Sequence, residues 1–309
     1  MICRESRTVK TMIASSLLIL AGCGGSHNGE ETGFISLGIS DGPVHDAKKV
    51  CITFDWVEFK PVDAGRSFTI NLDSPEKVDL LDYQGANAAP ILDLEEVRAG
   101  AYEWVRLGVD ANMGSNGGAG DTGGDACDGD ASYIVTDGNS VHNLYVPSGD
   151  QTGLKLVDGF TVPVNGSIDV TADWDLMQSI TAPLGLDPDV ILKPTIRLVI
   201  NVEAGTLAGL VLNELATAPG CDPSVYVFND DVTPNAITTD ANDEEDPVAT
   251  AMVNEQQNND GTTTYHYEIG FLPAENYETA FTCDGEVFEP VDGKPANISA
   301  QQVTTVDFP

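Results

Sequence analysis

At 309 residues and 41% hydrophobic side chains, the chain is long enough for two domains with real apolar cores, which excludes a disordered tail. Its formal charge of −35, from 14 basic and 49 acidic residues, excludes a nucleic-acid surface, because phosphates need clustered Lys and Arg. The same charge argues against direct adsorption to anionic lipid and keeps an exported surface solvated.

The first segment reads as a targeting signal. Arg4, Arg7 and Lys10 form a basic region partly offset by Glu5, and Thr11 to Leu20 is an apolar run too short to remain as a membrane span. It ends in Leu20-Ala21-Gly22-Cys23, which fits the lipobox of bacterial lipoprotein precursors. Small residues there let a peptidase reach the backbone, and the Cys23 thiol can take a thioether-linked lipid. A signal peptide over 1–22 and a lipidated tether over 23–32 are therefore expected, the tether being rich in Gly, Ser, Asn and Glu. Losing three basic residues and one acid takes the charge from −35 to −37. Gly24, rather than Asp, after the cysteine resembles an outer-membrane lipoprotein, and a multiply acylated cysteine anchors firmly. The expected address is the outer membrane of the envelope, with either face open and the membrane a partner through the lipid.

Period-two alternation dominates the rest. Ile35, Leu37 and Ile39 oppose Phe34, Ser36, Gly38 and Ser40, the pattern of a half-buried strand. Val50, Ile52, Phe54 and Trp56 repeat it, and the apolar phase then slips to Val57 and Phe59, as at a bulge or strand end. Phe68 to Leu72, Tyr102 to Val105, Tyr133 to Val135, Val141 to Val146, Leu154 to Val157, Phe160 to Val164 and Ile168 to Trp174 follow. The clearest run places Leu192, Ile196, Leu198, Ile200 and Val202 on one face. Short helices are expected near Ala47 to Lys49 and Leu176 to Ile180. A second strand set runs over Leu207–Leu212, Val225–Phe228, Ala249–Val253, Tyr265–Phe271, Tyr277–Cys283 and Val303–Phe308. The fold class is all-β: two β-sandwich domains, immunoglobulin-like or prealbumin-like, over 33–203 and 204–309. They echo each other, since Val97 to Tyr102 and Leu272 to Tyr277 are each a tight turn feeding a strand headed by tyrosine. Asp110 to Asp130 and Asp230 to Asp246 read as exposed acidic loops.

After cleavage, four cysteines remain beyond Cys23, and an even count in an exported chain points to disulfides. Cys221 and Cys283 share the C-terminal domain and are the preferred pair; Cys51 with Cys127 follows by elimination. Metal ligation is the lesser alternative, as there is no CxxC and no nearby histidine.

The first domain resembles a family of bacterial surface lipoproteins known as a domain of unknown function (DUF4382). The resemblance is carried in order by Gly33-Phe34 through Ser40-Asp41-Gly42-Pro43, Val78-Asp79-Leu80-Leu81, Ala99-Gly100-Ala101-Tyr102, Val146 to Leu156, Ala172-Asp173-Trp174-Asp175 and Leu192 to Leu198. It implies an exported β-rich domain and brings no assigned activity. The second domain is similar, more loosely, to the carboxypeptidase regulatory-like or transthyretin-like sandwiches, through Gly205 to Val211 and Leu272-Pro273-Ala274 followed by Tyr277. Asn276 stands where those domains usually carry glycine. Such domains are accessory, so this resemblance implies no catalysis either.

No catalytic constellation emerges. Gly38-Ile39-Ser40-Asp41-Gly42 formally matches the GxSxG elbow but lacks a following helix and α/β alternation, so it reads as a strand end. Gly118 to Gly123 matches GxGxxG without a βαβ context. His27, His45, His142 and His266 lack zinc spacing, and Trp56, Trp104 and Trp174 sit in strand patterns that favour core over sugar stacking. Asp121, Asp125, Asp128 and Asp130, on a pliable Gly-rich backbone, are a candidate calcium site, though the run misses the EF-hand template. No other cofactor is expected.

The sequence therefore reads as a non-catalytic envelope lipoprotein, a cell-surface binding or structural module for a protein or polysaccharide. The alternative is an extracytoplasmic metal- or carboxylate-dependent hydrolase acting on glycans. A concave pocket gathering carboxylates or histidine would favour the second; packed sandwiches without a cleft would favour the first.

Overall fold

The computed structural model describes residues 31–42, 44–63, 65–111, 123–124, 126–147, 153–181, 190–193, 195–238 and 245–309. Cys23, the expected signal peptide over 1–22 and most of the expected tether lie outside them. The first sandwich contains β1 (Thr32–Gly42), β2 (Ala47–Pro61), β3 (Phe68–Asp79), β4 (Ala89–Arg98), β5 (Gly100–Val109), β6 (Tyr133–Thr136) and β7 (Val141–Tyr145). It continues with β8 (Leu154–Leu156), β9 (Phe160–Val162), β10 (Ser167–Asp175), one helical turn at Leu176–Ser179, β11 (Ile180–Thr181), β12 (Val190–Leu192) and β13 (Ile196–Ile200). One sheet runs β13-β10-β1-β4; the other runs β11-β12-β7-β6-β2-β5-β8, with β3 paired to β2 and β9 to β5. Ile35, Leu37 and Ile39 are buried while Phe34 is exposed, so β1 gives one apolar face to a core that also holds Val50, Phe59, Leu107 and Trp174.

The apolar phase slip in β2 is a bulge. Register shifts between Phe54 and Trp56 on pairing with both β3 and β5. The extra residue, Asp55, flips the inward set, so Phe54 and then Val57 and Phe59 are fully buried while Trp56 is only partly so.

A 3₁₀ turn, Asn201–Glu203, leads into the second sandwich. It contains β14 (Ala204–Val211), a helical turn at Asn213–Ala216, β15 (Ser224–Asn229), β16 (Ala249–Met252), β17 (Asn254–Gln257), β18 (Thr263–Pro273), β19 (Asn276–Thr282), β20 (Phe288–Asn297) and β21 (Val303–Thr305). Its sheets run β17-β18-β14-β21 and β16-β15-β19-β20. Val225 and Val227 of β15 enter the inter-sheet core with Leu207, Tyr267 and Phe281. Tyr226 and Phe228 point the other way and are also buried, with Phe288 and with Met177 of the first sandwich. This second covered face explains why β15 reads as an apolar run rather than an alternation.

Three readings change. Ala47 to Lys49 open β2 rather than a helix, whereas Leu176–Ser179 is helical, its Gln178 amide donating to the Asp175 carboxylate at 3.1 Å. The run from Leu192 to Val202 is two strands in different sheets, Leu192 ending β12 and Ile196 opening β13; Val202 is exposed in the 3₁₀ turn. Proline at 194, whose lack of an N–H breaks a ladder, is the sequence-level reason. β4, β17 and β20 had no counterpart in the pattern; β20 carries Pro290 and Pro295 on a sheet edge, where prolines are tolerated.

Candidate functional site

Register builds the site. β1 and β10 pair in parallel, setting Ser40 beside Asp173, Asp41 beside Trp174 and Gly42 beside Asp175. The C-terminal ends of both strands thus place three aspartates at one end of the first sandwich, where the second abuts it. A cavity of about 200 Å³ lies there, lined by Asp41, Asp173, Trp174, Asp175 and Arg197 from the first sandwich and by Thr250, His266 and Glu268, among others, from the second. The structure therefore does have a concave pocket gathering carboxylates and a histidine.

Most of these carboxylates already have partners. Arg197 pairs with Asp173. Asp175 accepts from the Gln178 amide and side chain, and Thr250 of the second sandwich donates its hydroxyl to both Asp175 oxygens at 3.2 and 3.3 Å. Glu268 accepts from the Ala86 amide at 3.0 Å. Gln178 also donates to the Pro247 carbonyl at 2.7 Å, and the Tyr226 hydroxyl to the Met177 sulfur at 2.8 Å. Close approach of the two sandwiches depends on glycine: a Cβ at Gly270 would lie 2.4 Å from the Gly85 carbonyl.

Asp41 is different. It is 3% exposed, and neither carboxylate oxygen makes a hydrogen bond. Burial, then the charges of Asp175 and Asp173, push its carboxyl well above the ordinary range; the Leu176 amide pulls weakly the other way without hydrogen-bonding geometry. Asp173 and Asp175 are raised too, chiefly by burial, with Arg197 opposing at Asp173 and Gln178 opposing at Asp175. Trp174 Nε1 and His266 Nδ1 are likewise buried without partners.

The residues singled out in the sequence fare variously. Ser40 of the GxSxG match lies inside β1, fully buried, its hydroxyl donating to the Tyr83 carbonyl, so no nucleophile elbow forms. Cys51–Cys127 and Cys221–Cys283 are disulfides, with Cα separations of 5.7 and 4.4 Å. The Asp79 carboxylate lies within 4.8 Å of the Cys51 and Cys127 sulfurs, but sulfurs joined to each other offer no thiolate to a metal. Asp121 and Asp125 lie outside the described residues, as does most of the GxGxxG match. Of their neighbours Asp128 is partly buried and Asp130 exposed, and ammonium groups already occupy nearby carbonyls: Lys49 donates to Gly124 and Ala126, Lys77 to Gly129. His45 sits 3.4 Å from the Ser224 hydroxyl, His142 is in β7, and His27 lies outside the described residues. Trp104 and Trp174 are buried and Trp56 partly so, its ring lying against Gly108.

Two joined β-sandwiches with a polar junction define the class: an all-β module. The chain matches the family described as Domain of unknown function (DUF4382) over residues 32–194, and it belongs to that family. No curated protein matches. Among solved structures it is similar to a leucine-rich repeat protein from Bacteroides thetaiotaomicron, at 12% identity and TM-score 0.21, covering 90% of this chain and 26% of that one. It spans about a quarter of that protein. It is also similar to GBS52, the minor pilin of Streptococcus agalactiae, at 9% identity and TM-score 0.20, covering 88% and 94% of the two chains. The shaft pilin spaA of Lactobacillus rhamnosus GG shows 10% identity and TM-score 0.19, covering 90% and 98%. Likenesses this slight say nothing about what the chain binds. Among the described residues no helix is long and apolar enough to cross a membrane.

Proposed function

We propose that this chain is a non-catalytic envelope lipoprotein, held to the outer membrane through Cys23 and acting as a cell-surface binding or structural module. The observation that carries this reading is the use made of the acidic cavity. Asp173 is held by Arg197, Asp175 by Gln178 and Thr250, and Glu268 by the Ala86 amide. Carboxylate catalysis needs two acids free to face a substrate, one as acid and one as base or nucleophile. Here only Asp41 is uncommitted, and it is buried. Hydrogen bonds beside the cavity, from Thr250 to Asp175 and from Gln178 to Pro247, join the sandwiches, an arrangement suited to presenting sheet faces and loops to a protein or polysaccharide from a lipid tether.

The concavity itself favours the second reading, a glycan hydrolase. One experiment separates the two: the purified mature chain is incubated with a panel of envelope and extracellular polysaccharides, with both binding and released reducing ends measured, while intact cells are shaved with protease. The module reading expects retention on cells or on one polysaccharide without new reducing ends. Release of reducing ends that is lost in Asp175→Asn would replace it with the hydrolase.

A further inference from the structure

We infer that the junction cavity is a binding site for a hard divalent cation, calcium before magnesium, with Asp41 as its principal ligand. The inference goes beyond the surface-module reading and does not depend on it.

Three observations lead there. The cavity wall carries four carboxylates, Asp41, Asp173, Asp175 and Glu268, against the single guanidinium of Arg197. That imbalance favours a positive guest. Asp41 is buried with both oxygens unpartnered, a state that native proteins rarely keep without an ion, a bound water or a functional role. The third is the chemistry of the wall: its anionic donors are carboxylate oxygens, and the four cysteines among the described residues are paired in disulfides away from it, a set that suits a hard ion rather than a soft one.

Geometry limits the coordination. Among the described residues the aspartates do not form a group with one oxygen each within 4.8 Å of the others. The ion is therefore held directly by at most two carboxylates, with water completing its shell. A cavity of about 200 Å³ has room for those waters. Calcium accepts such an irregular, partly hydrated shell on strand-borne ligands more readily than magnesium, which demands a near-ideal octahedron. Since Asp41 belongs to the first sandwich and Thr250, His266 and Glu268 to the second, an ion here also ties one sandwich to the other.

The test uses the mature chain in detergent, stripped with EDTA. Terbium, a calcium surrogate, is titrated in while tryptophan is excited, because Trp174 on the cavity wall is placed to sensitise it. Thermal unfolding is followed with calcium or with sodium chloride of equal ionic strength. Expected are saturable terbium emission that calcium displaces, and a rise in melting temperature of roughly 5 °C with saturating calcium but not with sodium. Both effects should vanish in Asp41→Asn, a neutral isostere, and persist in Asp121→Asn with Asp125→Asn. If Asp41→Asn does not fold, Glu268→Gln supplies the readout, as a several-fold weakening of calcium binding. No calcium-specific rise in the parent chain overturns the site, as does a rise that survives Asp41→Asn. A rise lost only in the Asp121 and Asp125 double variant overturns it in favour of the Gly/Asp loop.

Discussion

Thr250 donates its hydroxyl to both carboxylate oxygens of Asp175, joining a strand of the second sandwich to the last residue of a strand in the first. Both residues are buried, so the contact is shielded from water. Thr250→Val keeps the shape and removes the donor, leaving part of a buried carboxylate unsatisfied, at a cost of about 1–3 kcal/mol. Urea unfolding should show a lower midpoint at unchanged slope, and Thr250→Ser should recover most of the loss. An unchanged midpoint in Thr250→Val would mean that the contact carries no weight.

Asp41 sets a pH dependence whose sign follows from burial. Its folded pKa lies well above the usual carboxylate range, so the native state holds a proton that the unfolded chain has lost. This contribution is fully present below about pH 4, where an unfolded aspartate titrates, and is lost as pH rises through the folded value. Asp173 and Asp175 act in the same sense. Asp260 and Asp284, exposed and held ionised by hydrogen bonds from Thr262 and from the Glu286 and Val287 amides, act oppositely at lower pH. In EDTA, the stability contributed by Asp41 should therefore fall as pH rises above the range where an unfolded aspartate titrates, and Asp41→Asn should flatten that slope and gain on the parent chain toward alkaline pH. Parallel slopes for the two chains would remove Asp41 from the account.

The tyrosine echo between the domains has a common contact. The Tyr102 hydroxyl donates to the Arg98 carbonyl at 2.7 Å, and the Tyr277 hydroxyl to the Pro273 carbonyl at 3.1 Å, each reaching back four residues around its turn. Both rings are buried. Tyr102→Phe and Tyr277→Phe should each cost about 1 kcal/mol in denaturant unfolding, and their effects should add, since the two turns share no partner. A strongly non-additive double variant would contradict two separate corners.

Cys221–Cys283 closes a segment of 62 residues and Cys51–Cys127 one of 76. Replacing either pair with serine should cost about 2–4 kcal/mol, mainly by freeing the unfolded chain. Loss of the first pair should also loosen the turn at Asn213–Ala216, whose Leu215 packs against the same core as Cys221 and Cys283. Hydrogen exchange of the Ala216 and Thr217 amides, bonded to the Leu212 and Asn213 carbonyls, reads this directly.

The fold was legible wherever one strand face is apolar. The slip after Trp56 announced the bulge at Asp55, and the alternation of Ile35, Leu37 and Ile39 announced β1. β4 and β20 were hidden because acids and prolines interrupt their alternation while Leu94 and Val291 put apolar side chains on the exposed face, and Leu192 and Ile196 looked continuous because side-chain phase does not say which sheet a strand joins. The site was hidden for a different reason. Asp41 appeared only inside a false nucleophile motif and the opening family stretch, and Asp173 and Asp175 only as part of a later family stretch. What brings them together is a parallel pairing between strands more than a hundred residues apart, closed by a second sandwich, and no local pattern encodes that. The one local trace is the Asp173-Trp174-Asp175 sequence, two acids flanking the largest fully buried side chain of the core.

Differential scanning calorimetry of a chain covering residues 31–309 tests most directly whether the contacts around the acidic cavity make the two sandwiches one body. A single transition whose calorimetric and van 't Hoff enthalpies agree is the predicted result. Two resolved transitions, with Thr250→Val leaving both unmoved, would contradict it.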